Sequence, residues 1–233
     1  MSIELETRDI TLPVSGLLVT IREGDGFSDR VLLKKIRRLH EAVHDYVASL
    51  TVSIGDNTKV TARDIKNLLV PDQEYLVVEC FKLNYGDQFE FNFHCPSCEH
   101  EEAQAVDLNE LEMRPLPEGT SGPDPVIVVD LPRSGRRAEV GMLDGHKESR
   151  LLNMDHIDLN QTDFLSIRKL DGQSDFSYED VLRLPMADHK ALRQARKTLI
   201  CGYDMNIIVR CPECAEKTRL NLLMHPDFLL PGG

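Results

Sequence analysis

The sequence predicts an α+β protein made of two similar units in tandem, and three observations lead to this prediction. Residues 12–33 match residues 131–152 without a gap, and residues 64–98 match residues 180–214. Each copy follows the same order: a hairpin-like pair of strands, helical segments, and a second pair of strands around a Cys-Pro-x-Cys turn. The segment 114–125 between the copies is rich in Pro and Gly, which is typical of a linker.

The agreement between the copies is colinear, which indicates a tandem duplication of a unit of about 110 residues. We expect a first repeat unit over residues 1–113, a linker over 114–125 and a second repeat unit over 126–233. A chance likeness between similar supersecondary elements is the alternative interpretation. The identical pairs include Leu12/Leu131, Pro13/Pro132, Ser15/Ser134, Gly16/Gly135, Asp25/Asp144, Gly26/Gly145, Asp64/Asp180, Leu68/Leu184, Asp72/Asp188, Gly86/Gly202, Cys95/Cys211, Pro96/Pro212 and Cys98/Cys214.

Each unit is expected to open with a hairpin and continue into a helix. The hairpin turns carry Gly16 and Gly135, which can supply the positive φ that a tight turn requires. In the first unit Ser28 is expected to cap the helix that follows. Its counterpart, over about residues 147–157, has a less regular pattern. One apolar face of the first helix is formed by Leu32, Ile36, Leu39, Val43, Tyr46, Val47 and Leu50.

Two further helices are expected in each unit. Thr61 with Asp64, and Ser177 with Asp180, have the spacing of a capping box with a carboxylate at its third position. The next helices are predicted over about residues 72–84 and 188–200. Glycines near their ends, Gly86 and Gly202, are typical C-terminal stops.

The two Cys-Pro-x-Cys turns predict a metal site. A Cys-x-x-Cys turn between two strands places two thiolates on one side of a knuckle, so two such turns provide the four ligands of a closed zinc site. If each unit supplies one turn, a single structural Zn²⁺ would join the two units in a zinc-ribbon-like site. The predicted ligands are Cys95, Cys98, Cys211 and Cys214.

Other interpretations of the cysteines remain open at this point. A pair of disulfides, an iron–sulfur centre, or replacement of one thiolate by His94 or His100 would each use residues at the same turns. A redox Cys-x-x-Cys normally opens a helix, and neither turn does so in the predicted pattern. Cys80 and Cys201 lie outside the turns and are expected to pack in the core.

A second motif suggests a different chemistry. His40, Glu41 and His44 fit His-Glu-x-x-His, in which two imidazoles on one helix face bind zinc and the Glu acts as base. No third-ligand pattern follows, and the corresponding stretch 159–163 contains no His. We therefore interpret these side chains as ordinary residues of a helix surface and predict no catalytic residues.

Composition excludes several classes of function. The chain has 233 residues and a net charge of −12, which argues against a general nucleic-acid binder because phosphate binding requires positive charge. No apolar run is long enough for a membrane span. The acidic N-terminus lacks an apolar signal core, so we expect a reducing cytoplasm, where paired thiolates bind metal.

The order of these motifs resembles a family of phage proteins. A Leu-Pro-x-Ser-Gly hairpin, helices, the strand 84–91 with Tyr85 and Gly86, a Cys-Pro-x-Cys turn and then Val106-Asp107-Leu108 look like the T4-type baseplate and tail-hub assembly proteins of contractile-tailed phages. The resemblance implies a non-enzymatic structural or assembly protein that contacts other tail and baseplate proteins in a hetero-oligomeric assembly. It also implies a location in the virion tail, and in the host cytoplasm during assembly.

Two other functions follow from the same residues. The paired knuckles are compatible with a cellular zinc-ribbon adaptor of a protein complex, although the acidic charge balance argues against a basic recognition surface. The second alternative is a zinc metalloprotease that uses His40, Glu41 and His44.

Overall fold

The computed structural model describes residues 5–33, 39–120, 122–154, 158–225 and 228, with side chains left out at 39–41 and 224. Helices and short antiparallel sheets alternate along the chain, which confirms the α+β class. The strands are β1 (Thr7–Thr11), β2 (Leu18–Arg22), β3 (Thr51–Ile54), β4 (Gln88–His94), β5 (Glu101–Asp107), β6 (Met113–Arg114), β7 (Val126–Asp130), β8 (Arg137–Gly141), β9 (Ile167–Leu170), β10 (Gly202–Tyr203), β11 (Asn206–Arg210) and β12 (Lys217–Asn221). The helices are α1 (Gly26–Leu33), α2 (Leu39–Leu50), α3 (Ala62–Asn67), α4 (Val70–Tyr85), α5 (Gly145–Leu152), α6 (Leu159–Ser166), α7 (Tyr178–Leu182) and α8 (Met186–Thr198).

Each half begins with a three-stranded antiparallel sheet in the same order, β1-β2-β3 and β7-β8-β9. The hairpin turns have the same backbone geometry, with φ near 69° at Gly16 and 70° at Gly135. Both sheets also shift register between two residues of the central strand, after Thr20 and after Glu139. The third strands β3 and β9 were not predicted, because each is only four residues long and follows a helix directly.

The hairpin of each half is attached to a helix by a buried aspartate. The Asp72 carboxylate accepts hydrogen bonds from the backbone N–H groups of Val14 (2.8 Å) and Ser15 (3.0 Å). Asp188 accepts from Arg133 (2.7 Å) and Ser134 (3.0 Å) in the same way. Both carboxylates are fully buried, so water cannot take their place as hydrogen-bond acceptors, and these bonds fix each turn against a helix.

The predicted capping boxes at Thr61/Asp64 and Ser177/Asp180 are confirmed. Helix α4, which was predicted over about residues 72–84, begins at Val70, two residues before its predicted start, because Pro71 suits the first helical turn. It ends at Tyr85, and Gly86, with φ 87°, caps it as predicted. In the second half, α8 ends at Thr198, slightly before the predicted end.

The prediction that Ser28 caps the first helix is wrong. Helix α1 begins at Gly26, and the Asp25 carboxylate accepts hydrogen bonds from the N–H groups of Phe27 (3.0 Å) and Ser28 (3.1 Å). Asp25 is therefore the cap, and Ser28 lies buried in the first turn. On the predicted apolar face, Leu32, Val47 and Leu50 are buried, while Ile36 lies outside the described residues.

The two hydrophobic cores do not follow the two halves of the sequence. The first core contains the apolar residues of the first half together with residues of the second half. The second core includes Val14 and Leu69 from the first half. Strand β6 at the end of the first half pairs with β10 of the second, so Arg114, at the start of the predicted linker, lies in a strand. The second-half members of the first core are Met205, Val209, Cys211, Leu222 and Phe228.

Candidate metal centre

The two cysteine turns are knuckles of the same geometry at the ends of two β-hairpins. In the first, which joins β4 to β5, the N–H of Glu99 donates to the Cys95 carbonyl at 3.0 Å, and Glu99 has φ 61°. In the second, which joins β11 to β12, the N–H of Ala215 donates to the Cys211 carbonyl at 3.0 Å, and Ala215 has φ 62°. Each knuckle therefore presents its two thiols on the same side of a tight turn.

The fold brings the four thiols of the two knuckles into one cluster. The Sγ atoms of Cys95 and Cys214 lie 3.6 Å apart, as do those of Cys98 and Cys211, and all four sulfurs lie within 4.8 Å of one another. Four thiolates around one zinc at about 2.3 Å would be separated by about 3.8 Å, so these separations fit a single tetrahedral ion. Both contacts are too long for the disulfide alternative, in which sulfurs are about 2 Å apart, and all four cysteines are free thiols.

The cluster has approximate twofold symmetry. Exchanging Cys95 with Cys211 and Cys98 with Cys214 converts one 3.6 Å contact into the other. Cys95 and Cys211 are buried, whereas Cys98 and Cys214 are exposed. The centre thus lies at the edge of the first core, between two hairpins that come from opposite ends of the chain.

Electrostatics within the cluster favour a thiolate at Cys95. Burial raises the pKa of this thiol. Hydrogen bonds from the backbone N–H groups of Ser97 and Cys98 and from neighbouring thiols lower it by more, so that the pKa is about 6. For Cys98, a backbone hydrogen bond at His100 acts to lower the pKa, but the other thiols raise it to about 12. A divalent cation would replace the shared protons, because metal binding requires deprotonated thiolates.

Within the described residues, the other cysteines and histidines lie outside this cluster. Cys80 is buried in α4, where burial raises its pKa to about 12, and Cys201 lies 3.7 Å from the Met142 sulfur. Their predicted packing in the cores is confirmed. His94 is paired with Glu101 at the surface, and within the described residues the ligand cluster includes neither His94 nor His100.

The His-Glu-x-x-His motif falls in α2, and the side chains of His40 and Glu41 lie outside the described residues. His44 is buried, and its Nε2 lies 3.0 Å from the Gln73 Oε1 atom. This imidazole is therefore directed into the protein, between α2 and α4.

Asp72 and Asp188 are the buried groups whose role the sequence analysis missed. Both belong to the identical pairs of the matched stretches, and an aspartate at the same position of both stretches was the available signal. Their partners are backbone N–H groups far away in sequence, which no local pattern identifies.

The geometry defines a protein in which two hairpins far apart in sequence bring four cysteine thiols into one cluster. Residues 8–229, nearly the whole chain, match the family described as T4 bacteriophage base plate protein, and the chain belongs to this family. No curated protein and no solved structure shows significant similarity to the chain. Among the described residues, no helix has the length and apolar character needed to cross a bilayer.

Proposed function

We propose that this protein is a structural or assembly component of a contractile phage tail baseplate or hub, in which one Zn²⁺ bound by the four cysteines holds the two knuckles together. The family match supports the baseplate role, and the four sulfurs within 4.8 Å of one another support the ion. The observation that carries the mechanical role is the position of the second knuckle, whose Cys211 and Val209 lie in the core of the first half.

Zinc in this centre would act as a cross-link. The Cys95/Cys98 and Cys211/Cys214 pairs are more than 100 residues apart in sequence. A bond between such distant points removes a large loop-closure entropy from the unfolded chain, and a thiolate site couples metal binding to folding. We propose that the ion fixes the relative position of the halves, so that neighbouring tail subunits meet one rigid surface.

We also propose that the two halves are repeat units, residues 1–113 and 126–233, produced by duplication. The matched sheets, capping boxes, buried aspartates and knuckles support this proposal. The contacts between the halves include a backbone bond of 2.9 Å from the Val70 N–H to the Leu143 carbonyl. The proposed role requires no catalysis: the protein would position its partners through contacts with other tail and baseplate proteins in the virion.

Detection of the protein in purified tails and in separated baseplate intermediates tests this role. We expect the wild-type protein to be incorporated, and a Cys95→Ser/Cys211→Ser variant to be incorporated at least tenfold less, because its knuckles are not joined. Cys80→Ala, which removes a thiol outside the centre, is the matched control and should be incorporated normally. Absence of the wild-type protein from both tails and intermediates would contradict the proposal.

A further inference from the structure

A groove between the two halves contains two acidic side chains in apolar surroundings. It has a volume of about 210 Å³ and lies between α2, α3, α4, α5 and the second knuckle hairpin. Its walls are mainly aliphatic, with Val43, Val47 and Val77 among them. Glu74 of α4 and Glu148 of α5 also line it.

No described cation compensates the charge of the two carboxylates. Among the described residues, neither has a hydrogen-bonding side chain or an ion-pair partner within range, and each is only partly exposed. Burial raises the pKa of both groups, and the negative charges of Glu148 and Asp204 help to raise that of Glu74 to about 7. A half-buried negative charge is costly unless a cation approaches it, so the groove favours a positively charged occupant.

The second half shows which group can occupy the equivalent position. Helices α2 and α6 both end directly before the third strand of their sheet, so Val47 corresponds to Asp163. In the matched stretches 64–98 and 180–214, Val77 corresponds to Arg193. In the second half the Arg193 guanidinium lies between α8 and α6 and donates to Asp163 (3.0 Å) and Asn160 (3.0 Å). In the first half, valines replace both the arginine and its carboxylate, which leaves the groove open.

We propose that this groove receives an arginine side chain from a neighbouring baseplate subunit, with the aliphatic stem against the valines and the guanidinium between Glu74 and Glu148. The groove volume is about seven times the volume of about 30 Å³ that one water molecule occupies in the liquid, which is enough for one long side chain. Arginine suits this position better than lysine, because its guanidinium is planar, weakly hydrated and able to bind two carboxylates. Only the identity of the donor subunit rests on the proposed baseplate function.

The purified protein tests the groove without any other tail component. We would titrate N-acetylarginine amide at pH 8 and follow the methyl NMR signals of Val43 and Val77, with N-acetylnorleucine amide as the uncharged comparison. We expect saturable shifts with the arginine compound alone, and an affinity at least fivefold lower in the Glu74→Gln/Glu148→Gln variant. The methyl spectrum of the same sample shows whether that variant is folded.

The charge-matched control is Glu90→Gln/Glu118→Gln, which removes two exposed carboxylates outside the groove. This control should bind N-acetylarginine amide as the wild type does. Equal shifts with the norleucine compound, equal loss of affinity in the control, or no saturable shift at all would each overturn the proposal. None of these results depends on the presence of the protein in tails, so a failure here is distinct from a failure of the baseplate role.

Discussion

Replacing Asp72 by Asn should release the first hairpin turn from helix α4. The Asp72 carboxylate is fully buried and accepts hydrogen bonds from the N–H groups of Val14 and Ser15 at 2.8 and 3.0 Å. The side chain of Val14 packs in the second core. Asp72 therefore holds the turn against α4, and the same turn places the Val14 side chain in the second core.

The magnitude follows from the two bonds. A hydrogen bond to a charged acceptor contributes about 1.5–3 kcal/mol, and a buried donor without an acceptor costs about 1–3 kcal/mol. In Asp72→Asn, the side-chain NH₂ group must face one of the two backbone N–H groups, so one bond is lost and a donor is left unsatisfied. We expect a loss of about 2.5–6 kcal/mol in the free energy of unfolding, because these two effects add.

Urea unfolding followed by circular dichroism measures this loss, and hydrogen exchange at the Val14 and Ser15 amides locates it. Asp56→Asn, which changes an exposed acid in the same way, should alter stability by less than about 0.5 kcal/mol. If Asp72→Asn costs less than about 1 kcal/mol and both amides remain protected, the assigned role of this carboxylate is wrong.

Three further predictions concern single side chains. Asp188 should contribute less stability in acid. Burial raises the pKa of its carboxyl, but hydrogen bonds at Ser134 and Arg133 lower it by more, so the folded-state pKa lies below the ordinary value of 3.8. The loss of stability in Asp188→Asn should therefore be largest above pH 3.8 and become smaller as the pH falls below that value. The pKa of Glu74 is raised from 4.5 to about 7 in the folded protein. Glu74→Gln should therefore have little effect on stability at pH 4, where the native carboxyl is protonated. At pH 8, where this carboxyl is ionised, the substitution should raise the free energy of unfolding by about 2–3 kcal/mol. Gly202→Ala should lower the free energy of unfolding by about 2–4 kcal/mol, because a Cβ there would lie 2.9 Å from the Pro71 Cβ. Gly119 has a similar φ of 80° but open space around it, so Gly119→Ala should cost only about 1 kcal/mol in the same urea titration. Equal losses at the two glycines, or a Glu74→Gln effect that does not change with pH, would contradict the packing described for these sites.

Local signals in the sequence predicted many of the helices and strands. Alternation of apolar and polar residues identified the knuckle strand β4, an apolar strand-like run identified β11, and the spacing of Thr61 and Asp64 identified the start of α3. These features depend on residues within one turn or one hairpin. The cap of α1 was missed because Asp25 and Ser28 both suit a cap, and only the backbone geometry distinguishes them.

The arrangement of the halves could not be predicted from the same patterns. Strand β11 shows its apolar face, but periodicity does not indicate which core buries it, and Val209 and Met205 lie in the core of the first half. The cluster of four cysteines was predicted from the spacing and strand context of the two turns, because a Cys-x-x-Cys turn holds its two thiols close together. The groove of Glu74 and Glu148 carries no such signal, since its walls come from five separate elements.

The most direct test of the account is the zinc content of the purified protein, measured by elemental mass spectrometry together with the protein concentration. We expect one zinc per chain in the wild type and in Cys80→Ala, and none in Cys95→Ser or Cys211→Ser, because each of these two variants removes one ligand of the only four-cysteine cluster in the part of the chain that the structure describes. A wild-type chain without bound metal, or a Cys211→Ser variant that retains the full amount of zinc, would contradict the claim that one ion joins the two knuckles.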